Sequence, residues 1–131
     1  MVQIMAAQKP ERLRPVVWVR SSKEDLRKFP EPAQSHIGFA LQVAQRGGKH
    51  PDAKPMRGFG GASVIEIVED YAGDTFRVVY TVKFEEAIYV LHAFKKKSKV
   101  GAATPKHELS LIEERLKRAQ ELYALGVHSR N

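Results

Sequence analysis

The chain of 131 residues contains no cysteine. That absence excludes disulfide bridges, thiolate catalysis and every zinc or iron–sulfur site that depends on cysteine ligands. Long apolar runs are also missing, and none approaches the roughly 20 residues that span a bilayer. Residues 1–15 lack the apolar segment and the small-residue cleavage pattern of a signal peptide. We therefore expect a cytoplasmic protein that contacts no membrane.

Positive charge is present in excess. The 22 lysines and arginines outnumber the 15 aspartates and glutamates, which gives a formal net charge of +7. Such an excess favours polyanionic partners, with nucleic acid ahead of a membrane surface. The lysines at positions 95, 96, 97 and 99 form the densest cationic segment.

Hydrophobic periodicity predicts a single small α+β domain over residues 15–126, between loose tails at 1–14 and 127–131. A β-branched apolar segment after Pro15 predicts a strand, and two helices follow it. Three strands then come in close succession, and an amphipathic helix starts at Thr104. Short connections between strands imply antiparallel neighbours. We predict the order β-α-α-β-β-β-α, an antiparallel meander with the helices packed on one side.

The middle strand of the meander alternates between two faces. Phe76, Val78 and Tyr80 share one face, whereas Arg77 and Val79 lie on the other. The segment 49–61, rich in proline and glycine, is predicted to be a loop.

Familiar ligand-binding motifs are missing. The glycines at 58–61 follow no predicted strand and precede no Lys-Ser/Thr pair, which excludes a P-loop and a dinucleotide fingerprint. The five histidines share no metal-ligand spacing and have no clustered carboxylates beside them. We therefore expect neither a metal site nor a cofactor.

Cationic side chains are the remaining candidates for function. The lysine segment directly follows a hydrophobic strand, so the sheet would anchor and orient its start. Arg77 interrupts an apolar strand, and Lys54 and Arg57 precede the first strand of the meander, so all could approach one phosphate. The plain structural alternatives are a sheet-edge or snorkelling role for Arg77 and a solvated face for the lysines. A core position is the corresponding alternative for His92.

Several segments of the meander also follow a known family pattern. They are residues 63–69, 74–81 and 89–99, followed by Thr104, Pro105 and the amphipathic helix. This arrangement resembles the RelE/HigB superfamily of toxins from toxin–antitoxin modules, in particular its phage-derived, HigB-like branch. The resemblance implies a ribosome-associated endoribonuclease that cuts translated mRNA. It also implies a cognate antitoxin, usually a helix-turn-helix protein, that silences the enzyme.

The resemblance assigns roles to individual residues. Arg77 matches the family's phosphate-binding arginine, and Lys96 and Lys97 match its lysine pair after the last strand, so these three are the predicted catalytic residues. Cleavage by the RNA's own 2′-OH needs a base, an acid and positive charge on the phosphorane. Repulsion between lysines lowers their pKa, which suits one of them as the base. The predicted RNA- or phosphate-binding residues are Lys54, Arg57, Lys95, Lys99, Tyr80 and His92.

Two other functions stay open. Many relatives have an arginine where this chain has Val68, which favours a non-catalytic, phage-derived basic module that binds nucleic acid or a protein. The superfamily also contains gyrase poisons. An antitoxin could bind either the lysine-bearing cleft or an apolar flank formed by Ile37, Leu41, Leu122 and Leu125.

Overall fold

The structure is a computed structural model that describes residues 13–61, 63–97 and 104–128, except for the side chain of Lys97. Its helices and strands follow the chain in the order β1 (Val16–Trp18), α1 (Ser22–Arg27), α2 (Glu31–Gln45), β2 (Ala53–Pro55), β3 (Val64–Tyr71), β4 (Asp74–Thr81), β5 (Ile88–Lys97) and α3 (Lys106–Ala124). The strands form one five-stranded sheet in the order β1-β5-β4-β3-β2. The predicted α+β class is confirmed.

The antiparallel meander of β3, β4 and β5 is also confirmed. Two additions make the sheet mixed and longer than predicted. β1 pairs with β5 in parallel, with Val16 opposite Ile88. β2 lies in the predicted loop and pairs antiparallel with β3, with Ala53 opposite Ile67. A strand of three residues is too short to be recognised from an alternating hydrophobic pattern. Pro55 is tolerated in β2 because this strand lies at the edge of the sheet.

The helices cover both faces of the sheet, which corrects the prediction that they pack on one side. On the α2 face, α1 and α2 pack on a core that includes Ile67 and Val78. On the α3 face, α3 packs through Ile112 on a second core that includes Val79. The physical reason is that the middle strands are apolar on both sides, so each side needs a cover.

A β-bulge in β5 decides which residues of that strand lie on which face. The register passes from Tyr80 opposite Val90 to Val79 opposite His92, so Leu91 is an extra residue without a partner on β4. Before the bulge, odd-numbered residues of β5 lie on the α3 face. After it, His92, Phe94 and Lys96 lie there, opposite β4 residues of that same face.

The apolar flank predicted for an antitoxin is mostly part of the protein's own core. Ile37 and Leu41 are buried on the α2 face, and Leu122 packs, partly buried, against the core of the α3 face. Ile37 and Leu41 are therefore unavailable to an antitoxin, because the sheet covers them, whereas the partly buried Leu122 leaves its part of the flank open. Leu125, by contrast, is 73% exposed.

The ends of the predicted domain are described only in part. Residues 1–12 and 129–131 of the two predicted tails lie outside the described residues. The carbonyl of Val127, within the predicted C-terminal tail, accepts a hydrogen bond from the Tyr89 hydroxyl. None of the helices within the described ranges is long and apolar enough to cross a membrane.

Candidate active site

A charged cluster, formed by Glu66, Arg77 and Lys96, lies on the α3 face on three adjacent strands. Alternation along β3 and β4 brings Glu66 and Arg77 to this face, diagonal to each other in the antiparallel register. Arg77 Nη1 donates a hydrogen bond to Glu66 Oε2 at 2.6 Å, and the two side chains are 19% and 16% exposed. Arg77 Nε is buried and has no hydrogen-bond partner among the described residues. The arginine is therefore partly desolvated, and one of its donors is unsatisfied.

Lys96 is the third member of the charged cluster. It lies opposite Thr75, diagonal to Arg77, which is opposite Phe94. Partial burial lowers the pKa of Lys96, the neighbouring Arg77 charge lowers it further, and Glu66 opposes both. A lysine with a lowered pKa exchanges its proton more readily near neutral pH than an ordinary surface lysine.

The bulge at Leu91 is what places Lys96 beside Arg77. Without the extra residue, alternation continued from Tyr89 and Leu91 would turn Lys95 toward the α3 face. In the observed register Lys95 lies opposite Phe76, a core residue of the α2 face, and its Nζ is 3.7 Å from Asp74 Oδ2. Lys95 therefore lies on the face opposite to Arg77, with its side chain 54% exposed, and its predicted contact with RNA stays a prediction.

Next to the charged cluster, α3 covers a buried polar group formed by His92, Glu108 and Arg115. Arg115 Nη1 donates to His92 Nδ1 at 2.9 Å and to the Leu91 carbonyl at 3.2 Å. His92 Nε2 in turn donates to Glu108 Oε1 at 2.6 Å. Burial lowers the pKa of His92, and the Arg115 charge lowers it too, whereas Glu108 opposes the shift. A neutral imidazole satisfies this arrangement at both nitrogens.

Two predicted RNA-binding residues are inaccessible. His92 is only 4% exposed, and its ring nitrogens are bound by α3 residues, so its predicted contact with RNA is wrong. Tyr80 is fully buried on the α2 face, where burial raises the pKa of its hydroxyl to about 12. It points away from Arg77 because the two residues lie on opposite faces of β4.

The other predicted residues are exposed or lie outside the described part. Lys54 on β2 is exposed and lies opposite Glu66, so it extends the charged cluster at the sheet edge. Arg57 is exposed in the turn after β2. The backbone of Lys97 pairs with Asp74, but its side chain, like all of Lys99, lies outside the described residues.

Sequence reasoning missed Glu66. The available signal was an acidic residue inside the apolar run from Val64 to Val68. This residue is two positions before Val68, so the two side chains lie on the same face of the strand. Combined with an antiparallel register that places Val68 opposite Arg77, that spacing would have brought the carboxylate to the arginine.

Histidines and carboxylates also come together at one place away from this cluster. Within the described ranges, His36, His50 and Asp52 form a group with the spacing of metal ligands. They lie beside α2 and not on the α3 face. They are therefore separate from the charged cluster, which contains two cations and one carboxylate.

The fold is similar to that of a solved bacterial toxin. A variant of the toxin RelE from E. coli, solved in the free state, superposes with a TM-score of 0.53 at 15% identity, covering 81% of this chain and 97% of that one. The toxin–antitoxin complex RelBE2 from Mycobacterium tuberculosis gives a TM-score of 0.44 at 19% identity, covering 64% of this chain and 99% of that one. At 15% identity the first comparison shows a common fold alone, and the second is too distant to show one.

The family follows from the sequence match. Residues 24–117, more than half of the chain, match the model described as phage derived protein Gp49-like. The chain belongs to this family. The match confirms the expected phage-derived family, and the comparison with RelE shows that the chain has the expected RelE-like fold. No curated protein matches the chain.

Proposed function

We propose that this protein is the toxin of a toxin–antitoxin module and that it cleaves translated mRNA. The observation that supports the activity is the charged cluster, where a partly desolvated arginine lies beside a carboxylate and a lysine of lowered pKa. Membership of the Gp49-like family and the RelE fold support the toxin role. Action on translated mRNA places the protein in the cytoplasm.

The proposed reaction uses the RNA as its own nucleophile. The 2′-oxygen forms a bond to the adjacent phosphorus, the bond from phosphorus to the 5′-oxygen breaks, and a 2′,3′-cyclic phosphate and a 5′-hydroxyl end result. Arg77 binds the phosphate and stabilises the charge that develops on its oxygens. Glu66 accepts the 2′-hydroxyl proton, and Lys96 donates a proton to the leaving 5′-oxygen.

The Arg77–Glu66 ion pair gives this reaction an order of events. Before RNA binds, Arg77 is neutralised by Glu66 at 2.6 Å. An incoming phosphate competes with the carboxylate for Arg77, because both groups accept from a guanidinium through two oxygens, and it takes the place of Glu66 when RNA binds. Glu66 is then released to act as a base next to the bound phosphate.

Neighbouring lysines on opposite faces give a matched test. Lys96→Met keeps the aliphatic stem and removes the ammonium from the charged cluster, whereas Lys95→Met removes the same charge from the α2 face. We expect Lys96→Met to reduce mRNA cleavage by about 10²- to 10³-fold, the usual cost of losing one group that stabilises the transition state. Lys95→Met is expected to stay toxic. Growth after induction and mapped 5′-hydroxyl ends in transcripts are the measurements.

Two outcomes would contradict the proposed activity. One is normal growth with intact mRNA on induction of the unaltered chain without an antitoxin. The other is equal toxicity of the two lysine variants when both fold, as checked by circular dichroism. Glu66→Gln tests which of two residues is the general base. Loss of cleavage supports the Glu66 carboxylate, and retained cleavage assigns the role to Lys96.

A non-catalytic nucleic-acid-binding module is the second candidate. Val68 lies directly opposite Arg77, at the position where many relatives have an arginine. The charged cluster therefore has one cation fewer than the corresponding site of those relatives. This function predicts RNA binding that weakens with salt, in proportion to the phosphates neutralised, without any cleavage. Cleaved ends at defined codons would exclude it.

A toxin of this kind needs an inhibitor, and we propose that the antitoxin binds the charged cluster through an acidic segment. Most of the alternative apolar flank is taken up by the protein's own core. A helix-turn-helix antitoxin is the proposed partner class, and mRNA on the ribosome is the proposed substrate.

A further inference from the structure

Two histidines and two carboxylates meet beside α2, away from the charged cluster. His36 lies on α2, His50 and Asp52 lie in the segment before β2, and Glu69 lies on β3 opposite Phe76, a residue of the α2 face. His36 Nε2 is 2.8 Å from Asp52 Oδ2 and 3.3 Å from Glu69 Oε1. His50 Nδ1 is 4.0 Å from Asp52 Oδ2. The four side chains come from three separate parts of the chain.

We propose that these four residues form a site for a divalent transition-metal ion of the zinc class. One ligand atom from each of His36, His50 and Asp52 lies within 4.8 Å of the others. Nitrogen and oxygen ligands at about 2.0–2.1 Å in a tetrahedron are separated from one another by about 3.3 Å. The measured separations of 2.8, 3.3 and 4.0 Å lie around that value. Glu69 contacts the group through His36, and its carboxylate would have to approach the other two ligand atoms to complete the tetrahedron.

The chemistry of the ligands fits the same ion. Two imidazoles and two carboxylates are the nitrogen and oxygen donors that zinc takes when cysteine is missing. With neutral imidazoles the two carboxylates give the group a charge of −2, which a divalent cation balances. The His36 ring lies between Asp52 and Glu69.

The rings of the histidines are already oriented. His50 packs edge-on against His36 at 5.1 Å and against Phe39 at 5.6 Å between ring centroids. His50 Nδ1 accepts a hydrogen bond from the Asp52 backbone N–H at 3.0 Å, so its lone pair is directed toward the Asp52 side of the cluster. Metal binding exchanges this hydrogen bond for a metal–nitrogen bond.

Pairing of β2 with β3 explains why residues without a ligand spacing meet. Ala53 lies opposite Ile67, and Val68 N–H donates to the Asp52 carbonyl at 3.3 Å, which brings Asp52 next to Glu69. α2 packs over the same strand and contributes His36. The expectation of no metal site, which rested on linear spacing, is revised by this pairing. Bound metal would tie α2 to the β2 edge of the sheet.

The test uses the full chain without a polyhistidine tag, dialysed against a chelator. Zn²⁺ is titrated by calorimetry, and Co²⁺ is added separately as a spectroscopic probe of tetrahedral coordination. We expect one ion per chain and a melting temperature that rises with metal concentration. His36→Gln and Asp52→Asn are each expected to weaken binding at least tenfold, since loss of even an outer partner of a metal ligand costs 10- to 100-fold. His107→Gln removes an exposed histidine on α3 and should leave binding unchanged.

Three results would overturn the proposal. They are absence of saturable one-to-one binding, unchanged affinity in both ligand variants, and an equal loss in His107→Gln. Asp52 is 48% exposed, so Asp52→Asn answers the question even where His36→Gln fails to fold. Lys96→Met should bind Zn²⁺ normally, which separates this site from the proposed ribonuclease activity.

Discussion

The two faces of the sheet are built on different principles. The α2 face is a continuous apolar core under two helices, with buried residues from β1 to β5. The α3 face is apolar only under α3, then passes through the buried polar group of His92, Glu108 and Arg115 to the charged cluster. The larger apolar cluster lies on the α2 face, and the α3 face holds the partly desolvated charges of the candidate site.

This difference shows how a small domain can accommodate charges on a buried strand. Arg77 lies on a strand whose opposite side is packed through Phe76 and Val78, so the backbone beneath it is fixed. Fixed strands hold side chains more exactly than loops do.

The largest effect is expected from neighbouring substitutions on the two faces of β3. Ile67 is fully buried on the α2 face, and Val68 is half-buried on the α3 face. Ile67→Ala should lower the free energy of unfolding by about 2–5 kcal/mol through lost burial and a cavity. Val68→Thr should cost less than about 1 kcal/mol. Urea denaturation measures both, and equal losses would show that the two faces contribute alike.

A smaller effect is expected at the boundary between core and charge. Arg115→Met keeps much of the side-chain volume but leaves the Leu91 carbonyl and His92 Nδ1 without their donor. We expect a loss of about 1–3 kcal/mol in the free energy of unfolding, the cost of buried polar groups left unsatisfied. Lys117→Met, on an exposed position of the same helix, is the control. A neutral result for Arg115→Met would mean that α3 is held by apolar contacts alone.

The smallest effect is expected in the pH dependence of stability. The pKa of His92 is lowered in the folded protein from 6.5, so between the folded and unfolded pKa values the unfolded chain binds more protons. Stability from this group is complete above about pH 6.5 and is lost as pH falls toward the folded pKa. His92→Gln should flatten that part of the curve, whereas His107→Gln should preserve it. Urea midpoints measured from pH 7.5 to pH 5 give the comparison, and parallel curves for the unaltered chain and His92→Gln would refute it.

Features set by local periodicity were predictable from the sequence. The alternation of Phe76, Val78 and Tyr80 against Arg77 and Val79 is confirmed in β4. The amphipathic last helix is confirmed too, beginning at Lys106 after Pro105. Such patterns depend on residues within one element, so the sequence contains them directly.

Features set by pairing between elements were not predictable. The bulge at Leu91 has no compositional signal, yet it decides that Lys96 and not Lys95 joins Arg77. The parallel pairing of β1 with β5 and the division of helices between two faces likewise depend on contacts between distant segments. In the charged cluster, Arg77 and Lys96 were predicted by resemblance, while Glu66 needed the register.

The position of β5 inside the sheet has a consequence for biosynthesis. β5 is the last strand in the chain, yet it lies between β1 and β4. A ribosome extends the chain from its N-terminus at about 5–20 residues per second, so β1 emerges long before its parallel partner exists. The charged cluster likewise stays incomplete until Lys96 has been added to a growing chain that already contains Glu66 and Arg77. Under the proposed function, a nascent toxin is therefore inactive toward the ribosome that is making it until its final strand is synthesised.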